Sequence, residues 1–293
     1  MKFSIIIPHK NTPILLERLL STIPQREDLE ILIIDDNSSD EIVNFEEFPG
    51  MRMNNVRCFF EKSNIGAGNA RNIGVKHAKG EWLLFADSDD YFVPEIARVL
   101  NKYSNETNID MVFLNAKTVN ENGLLGNLSL NRYIQNAIKQ KPCSLEVLKY
   151  EFWAPWSRMV KRSIFIENNI KFDNVPVGND MIGILNASRF SKSFSIESPV
   201  VYHYYKPTEG SQTKNKYTTQ TQIQRLENKF KANKLYSEVK YPFFWPLFID
   251  FKPIIKTQQH LELKELKTKY NYSFYKDLIN FIKYFLGKIF KII

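Results

Sequence analysis

The run Leu83-Leu84-Phe85-Ala86 is apolar and of strand length, and it stops on Asp87-Ser88-Asp89-Asp90 before Tyr91-Phe92; Pro94 then opens a helical pattern. Carboxylates this close repel one another, and clustering them costs stability unless a cation or a dipole offsets it. A strand end followed by a loop places them at the rim of a sheet, where α/β proteins bind ligands. Oxygen-only ligands suit a hard divalent cation, and Mg²⁺ or Mn²⁺ usually reaches phosphates through one or two carboxylates. A metal–diphosphate site is one reading of the cluster. The other is a helix cap, since Asp favours helix starts, although one cap needs only one Asp.

The surrounding chain alternates strands with short helices. Lys2–Ile7, Glu30–Ile34, Val56–Phe60, Trp82–Ala86 and Met111–Asn115 read as strands. Thr12–Thr22, with Leu15, Leu16, Leu19 and Leu20 on one side, and Pro94–Tyr103 read as helices, and another runs to about Ala78 behind Gly66-Ala67-Gly68. This alternation predicts an α/β fold with a doubly wound, mostly parallel sheet. Three of its strand ends carry Asp or Gly/Arg motifs. Further on, Asn120–Lys141 is polar and poorly periodic and reads as a loop or insertion. Cys143–Tyr150 reads as a short helix, Asn174–Asn179 as a loop, Asp180 as the start of a helix through Arg189, and Val200–Tyr205 as a strand. The turn-rich Pro207–Thr213 marks the expected end of a first domain at residue 210.

At 293 residues the chain can be one large domain or a domain with an appendage, and 43% hydrophobic residues are ample for a core. Cys58 and Cys143 supply no disulfide framework. The apolar Phe3-Ser4-Ile5-Ile6-Ile7 is cut by Pro8-His9-Lys10-Asn11 too early for a signal sequence, and no window approaches the ~18–20 apolar residues of a membrane span. A cytoplasmic or peripheral location is therefore expected. From Ser211 onward there are 16 Lys and Arg against 6 Asp and Glu, a net +10, which leaves the first 210 residues at −2. A near-neutral body with a basic tail points to an anionic surface for the tail, with no nucleic-acid partner expected.

The Gly66-x-Gly68 pair is not a dinucleotide fingerprint. That motif needs a third Gly where Arg71 stands and follows the first strand, whereas Pro8-His9-Lys10-Asn11 follows it here. There is no Walker lysine loop, and the missing glycine loop also weakens a sugar nucleotidyltransferase. What remains is a nucleotide diphosphate held by carboxylates, metal and Arg71, whose guanidinium suits diphosphate oxygens. Arg71 could equally be an ordinary surface arginine in a first helical turn.

Ser4-Ile5-Ile6-Ile7-Pro8, Ile33-Ile34-Asp35-Asp36-Asn37-Ser38-Ser39-Asp40, Asn64-Ile65-Gly66 with Ala70-Arg71-Asn72-Ile73-Gly74, and Gly80-Glu81-Trp82 leading to Asp87-Ser88-Asp89-Asp90 together resemble the inverting family-2 glycosyltransferases of the GT-A fold. The similarity is dense over about the first 115 residues. The bacterial members that build capsule, exopolysaccharide and lipopolysaccharide look closest, and Trp156–Arg162 with Gly178-Asn179-Asp180 resembles their acceptor segment.

This resemblance implies a GT-A catalytic domain over 1–210, its donor half to about 115 and its acceptor half over 116–210, followed by a helical basic region over 211–293. It implies that Asp36 accepts the uracil N3–H beside Pro8, that Arg71 contacts the diphosphate, and that Asp87 faces the ribose or donor sugar. Asp89, with Asp87, would hold Mn²⁺ or Mg²⁺, and Asp180 would be the catalytic base, with a helix cap as its bland alternative. Asn179 stands where family members often have a second acidic residue, and His9 replaces their commoner aromatic. Trp153 and Trp156 lean toward core; a metal-ligand role for His203, and a mobile cover over the donor site made of Lys206 and the Glu209–Thr213 turn, stay open.

The expected activity is transfer from a UDP-sugar to a saccharide acceptor, lipid-linked, in bacterial surface polysaccharide synthesis. The rivals are a catalytically silent, membrane-associated nucleotide-sugar-binding protein and a sugar nucleotidyltransferase. An oligomer stays open. In Ser273–Ile293, Lys276, Asp277, Lys283, Lys288 and Lys291 fall on one face, with Phe274, Leu278, Ile279, Ile282, Phe285 and Ile289 opposite. That pattern suits a helix lying on the inner face of the cell membrane, or one docked on protein.

Overall fold

A computed structural model describes residues 1–175, 178–206, 218–243, 245–247, 250–251 and 260–290, with backbone alone for 219, 260 and 283–290. The Glu209–Thr213 turn therefore lies outside the described residues, as do Lys291 and Ile293 of the last helix.

Strands β1 (Phe3–His9) and β2 (Leu29–Asp35) are buried at every residue, as parallel strands covered on both faces must be. Their continuous Ile/Leu runs are the consequence, each side chain contributing roughly 1.5–3 kcal/mol on burial. With β3 (Val56–Phe60) and β4 (Trp82–Phe85) they form the parallel order β3-β2-β1-β4. Helices α1 (Pro13–Thr22), α2 (Gly66–His77) and α3 (Glu95–Tyr103) belong to this half. On α3 the buried face is Ile96, Val99, Leu100 and Tyr103, the spacing of one helical stripe. The chain leaves β1 toward β2 and β3, then returns to place β4 on the other side of β1. That reversal opens a crevice beyond the carboxyl ends of β1 and β4, where the acidic loop begins.

Pro8 sits in β1 without breaking a ladder. Ala86 N–H donates to Ile6 O at 3.1 Å, and the pairing with β4 stops at Ile6–Phe85. Pro8, two residues on, turns its missing N–H to the same side, past the end of β4.

The second half is mixed. After β5 (Tyr91–Phe92), β6 (Met111–Val119) and β7 (Leu125–Gly126), β8 (Arg158–Lys161) inserts antiparallel between β4 and β6. Strand β9 (Phe194–Tyr205) then runs parallel to β6 and antiparallel to β5. Helices α4 (Ser129–Ile138), α5 (Ser144–Tyr150), α6 (Arg162–Glu167) and α7 (Met181–Phe190) connect them. The doubly wound α/β fold is as expected, its parallel character concentrated in the first four strands.

Residues 120–141 are not simply a loop. They hold β7 and α4, whose Leu130 and Ile134 are fully buried and whose Asn131 side chain bonds Leu128 N, Asn115 Oδ1 and Ala116 O. Two buried residues one turn apart hold a ten-residue helix whose other positions are mostly polar, so its periodic signal is faint. Strand β9 also starts six residues earlier than expected, at Phe194.

In the C-terminal region, α8 (Thr219–Glu238) packs Ala232, Leu235 and Tyr236 against Tyr150, Met181 and Leu185. Helix α9 (His260–Lys269) sets Leu263 and Leu266 against Ile223, Leu226 and Phe230. The last helix, α10, spans Phe274–Phe290.

Candidate active site

The three carboxylates after β4 divide into two kinds. Asp90 is fully buried and accepts from the Tyr202 hydroxyl at 2.7 Å and the Tyr205 backbone N–H at 2.7 Å. The same hydroxyl accepts from Asp87 N–H at 3.0 Å. Burial, then the Asp87 and Asp89 carboxylates, push the Asp90 carboxyl well above the ordinary aspartate range. It ties the acidic loop to β9, with both carboxylate oxygens engaged there.

Asp87 and Asp89 are partly exposed. Burial, then the neighbouring Asp87 carboxylate, push Asp89 up to about 6, partly against the pull of Arg18. Arg18, on α1, donates to the Asp89 carbonyl and lies between the Tyr91 and Tyr205 rings, 4.9 and 4.8 Å from their centroids. Nothing in its helix sets Arg18 apart, because the residues that make it matter come from β5 and β9.

Arg71 is not a surface arginine. It is 5% exposed, and its guanidinium forks between Asp87 Oδ1 at 2.6 Å and Asn179 Oδ1 at 2.8 Å. Its Nε is buried with no partner among the described residues. Asn179, at the position where family members often have a second acidic residue, thus serves as an acceptor for Arg71.

Asp180 caps α7 by position, yet no side-chain hydrogen bond to the helix start accompanies it. Burial pushes its carboxyl above the usual range; the nearby Arg71 guanidinium opposes this and the Asp87 carboxylate adds to it. Arg71 and Asp87 are thus near enough to act on Asp180 electrostatically, and Arg71 bonds Asn179, the residue before it, at 2.8 Å. The loop before Asp180 lies against α2: Asn72 bonds both backbone groups of Phe172, at 2.8 and 2.9 Å. A Cβ on Gly68 would come within 2.1 Å of the Asp173 carbonyl oxygen, so the first helical turn needs glycine for close approach.

Asp36 lies at the end of β2, 8% exposed, with Oδ1 accepting from Ile65 N–H and Gly66 N–H. Its Oδ2 lies 3.7 Å from Lys10 Nζ. Lys10 and Asn64 line an open groove of about 620 Å³ together with Asn11, Asn37, Ser38 and Asp40. His9 does not face this groove. It is 1% exposed, accepts from Thr12 N–H at Nε2, 3.2 Å, and therefore donates from Nδ1 to Asp35 Oδ2 at 2.7 Å. It fixes the ends of β1 and β2.

Tyr202 faces the acidic loop, so the strand alternation turns His203 to the opposite side, against the Tyr91 ring. Trp156, 6% exposed, stacks on Tyr202 and Tyr204 and is core; Trp153 meets Trp245 of the C-terminal region edge-on.

Among the described residues no three His, Cys, Asp or Glu side chains are grouped to hold a metal by themselves. The Asp87–Asp89 pair nonetheless fits a hard divalent cation. Its oxygens are of the right chemistry, it is strained by mutual repulsion, and the diphosphate would supply further oxygens.

The Glycosyl transferase family 2 model matches residues 4–168, more than half of the chain. The chain is 24% identical over 226 residues to the poly(ribitol-phosphate) beta-N-acetylglucosaminyltransferase TarS of Staphylococcus aureus, covering 75% of this chain and 38% of that protein. It is 28% identical over 218 residues to the poly(ribitol-phosphate) beta-glucosyltransferase of Bacillus spizizenii, covering 72% of this chain and 33% of that protein. It thus spans well under half the length of these relatives. A crystal structure of S. aureus TarS 1–349 in complex with UDP-GlcNAc shares its fold, with a TM-score of 0.66 at 19% identity over 92% of this chain and 80% of that one. With a match across all four strands of the parallel half and the acidic loop behind them, this chain belongs to glycosyl transferase family 2, on a GT-A fold.

Proposed function

We propose that the protein is an inverting glycosyltransferase that moves a sugar from a UDP-sugar to a saccharide acceptor of a bacterial surface polymer. One observation carries the reading: Arg71 spans Asp87 and Asn179, so the arginine of the proposed diphosphate site is tied to the acidic loop on one side and to the residue before Asp180 on the other. The likeness to TarS, solved with UDP-GlcNAc, supports a UDP-sugar donor. The poly(ribitol-phosphate) glycosyltransferases among the relatives support a surface-polymer acceptor.

The donor's uracil lies in the Lys10–Asn64 groove, with Asp36 Oδ2 accepting its N3–H. Arg71 donates to the diphosphate from the guanidinium N–H groups left over beside its bonds to Asp87 and Asn179. Asp180 takes the acceptor hydroxyl proton as that oxygen attacks the anomeric carbon from the face opposite UDP. The C–O bond to the diphosphate breaks, and its electron pair leaves with UDP. A carboxylate whose pKa is raised by burial is a stronger base for this step. Asp89 and Asp87 would hold Mg²⁺ or Mn²⁺, which supplies charge neutralisation for the departing diphosphate.

Location is part of the proposal. Asp277, expected on the lysine face, is instead turned inward on α10, 3% exposed and bonded to the Tyr272 hydroxyl at 2.9 Å, while Phe274, Tyr275, Ile279 and Ile282 are 46–77% exposed, with Lys276 and Asn280 exposed among them. No helix among the described residues is long and apolar enough to cross a membrane. An apolar outward side on a region of net +10 suits the anionic inner face of the cell membrane, where each nearby Lys adds about 1 kcal/mol. A lipid-linked acceptor would be met there.

The test is UDP release from UDP-GlcNAc, UDP-glucose and GDP-mannose, with and without poly(ribitol phosphate), in Mn²⁺ and in chelator. A UDP-sugar should be turned over in metal, and Asp180→Asn should cut the rate by roughly 10²–10⁴-fold while UDP still binds. Equal loss of turnover and UDP binding in a folded Asp180→Asn protein would make Asp180 a structural cap.

A further inference from the structure

Helix α8 reaches the site from the far side. Asn228 is 1% exposed, and its Nδ2 donates to the Gly178 carbonyl at 3.0 Å. One turn later, Lys231 Nζ lies 3.1 Å from Asp173 Oδ2 and 3.4 Å from Asn228 Oδ1. These contacts grip the two ends of the loop that precedes Asp180. The loop also closes on itself, Asp173 N–H donating to Asn179 O at 3.0 Å. Its opposite side rests on Gly68, Arg71 and Asn72 of α2. The approach to Asp180 is thus clamped between a helix of the parallel half and a helix of the C-terminal region.

The grip is registered along its length. Leu235 and Tyr236 pack in one cluster with Met181, the residue after Asp180, and Leu185; the Tyr236 hydroxyl donates to Tyr150 O at 2.9 Å, and Arg189 pairs with Glu238 at 2.7 Å. Position 228 meets 178 and position 238 meets 189, so α8 runs beside α7 in the same direction and cannot slide without breaking several contacts. Gly178 has φ +74°, and a Cβ there would meet open space. Glycine is needed for that left-handed backbone, not for room, and the turn sends the Asn179 side chain to Arg71. Burying an amide side chain is costly unless it is hydrogen-bonded, yet Asn228 places its donor on this one carbonyl.

We propose that Asn228, with Lys231 beside it, is a positioning residue for Asp180, so that the C-terminal region completes the catalytic centre as well as locating the enzyme. This rests on Asp180 being the base. Asn228 bonds none of the donor-binding residues Asp36, Arg71, Asp87 and Asp89 itself; the brace reaches that group only through the Asn179–Arg71 bond, so transfer should suffer more than donor binding. A small misplacement of a catalytic group can cost on the order of 10²-fold in rate.

The experiment uses the full chain carrying Asn228→Ala, Asn228→Asp or Asp180→Asn. Asn228→Asp keeps the size of the side chain but replaces the donating NH₂ by an oxygen facing the Gly178 carbonyl, so it separates the hydrogen bond from packing. The readouts are kcat and KM for UDP release from UDP-GlcNAc, UDP affinity in Mn²⁺, and hydrogen exchange. Both Asn228 variants should lose roughly 10–100-fold in kcat, change clearly less in KM and UDP affinity, and exchange the amides of 173–175 and 178–180 faster with 82–90 unchanged. A kcat within twofold of wild type in both variants, or KM and UDP affinity shifting together with kcat, overturns the proposal. Unchanged protection of 173–175 and 178–180 in both also overturns it, whichever donor the enzyme prefers. Normal turnover by Asp180→Asn removes the base reading and this inference with it. An inactive Asp180→Asn beside normal Asn228 variants confines the failure to the brace.

Discussion

Replacing Asp89 by Asn should make the metal-free protein more stable and the metal useless. Without a cation, burial and the Asp87 carboxylate hold Asp89 at about 6 instead of 3.8. A raised carboxylate pKa means that the folded state keeps its proton to higher pH than the unfolded chain. The folded state is therefore unpenalised below pH ~4 and loses stability as pH rises from there through about 6. A shift of roughly two units at 1.36 kcal/mol each amounts to about 3 kcal/mol at neutral pH. Asparagine carries no charge to desolvate or repel, so Asp89→Asn should recover up to that amount. For a domain of this size 1 kcal/mol is about 2–4 °C; the gain is then on the order of 5–10 °C at pH 7.5 in chelator and close to nothing at pH 4. Thermal unfolding at the two pH values measures it. Calorimetric UDP titration in Mn²⁺ and in chelator supplies the second arm: wild type should bind more tightly with the metal, and the mutant equally in both. An Asp89→Asn protein with unchanged stability at pH 7.5, or one that keeps its metal-dependent UDP affinity, refutes the electrostatic picture of the acidic loop.

Three further outcomes follow from single contacts. Gly68→Ala puts a methyl 2.1 Å from the Asp173 carbonyl oxygen and 3.1 Å from Asn179 Cβ; overpacking of this kind costs about 1–3 kcal/mol, and turnover should fall more than chemical-denaturation stability does. Arg71→Lys keeps the charge but cannot fork to Asp87 and Asn179 together, so UDP affinity and kcat should both drop at least tenfold, and a variant with wild-type kinetics would remove Arg71 from the diphosphate site. Ile279→Glu with Ile282→Glu, both on the exposed side of α10, should release the full chain from anionic vesicles in co-sedimentation while UDP binding persists; equal partitioning with wild type would sink the membrane role.

How much of this was legible depends on where each residue finds its partners. Strands β1, β2 and β4 could be read because a strand covered on both faces must be apolar throughout, and that demand is local. Helix α4 could not, since two buried residues in ten leave no clear period and its Asn131 bonds residues 15 and 16 positions back. The acidic loop was visible as three carboxylates, but not their division of labour. Asp90 is taken out of the ligand set by Tyr202 and Tyr205, 112 and 115 residues away, and no spacing within the loop encodes that. Arg71 followed the same rule: an arginine expected in a first helical turn fits a surface residue, whereas it stands in the second turn of α2, and only Asp87 and Asn179, the latter 108 residues on, make it buried and two-pronged. Asn228 is the extreme case, lying in a polar, helix-prone stretch with no motif near it. Local patterns report what a residue must be to be buried in its own element. A site assembled at the reversal point of a sheet, from the ends of elements distant in sequence, is specified by which of those ends meet. Its positioning residues are therefore the ones that sequence pattern reveals last.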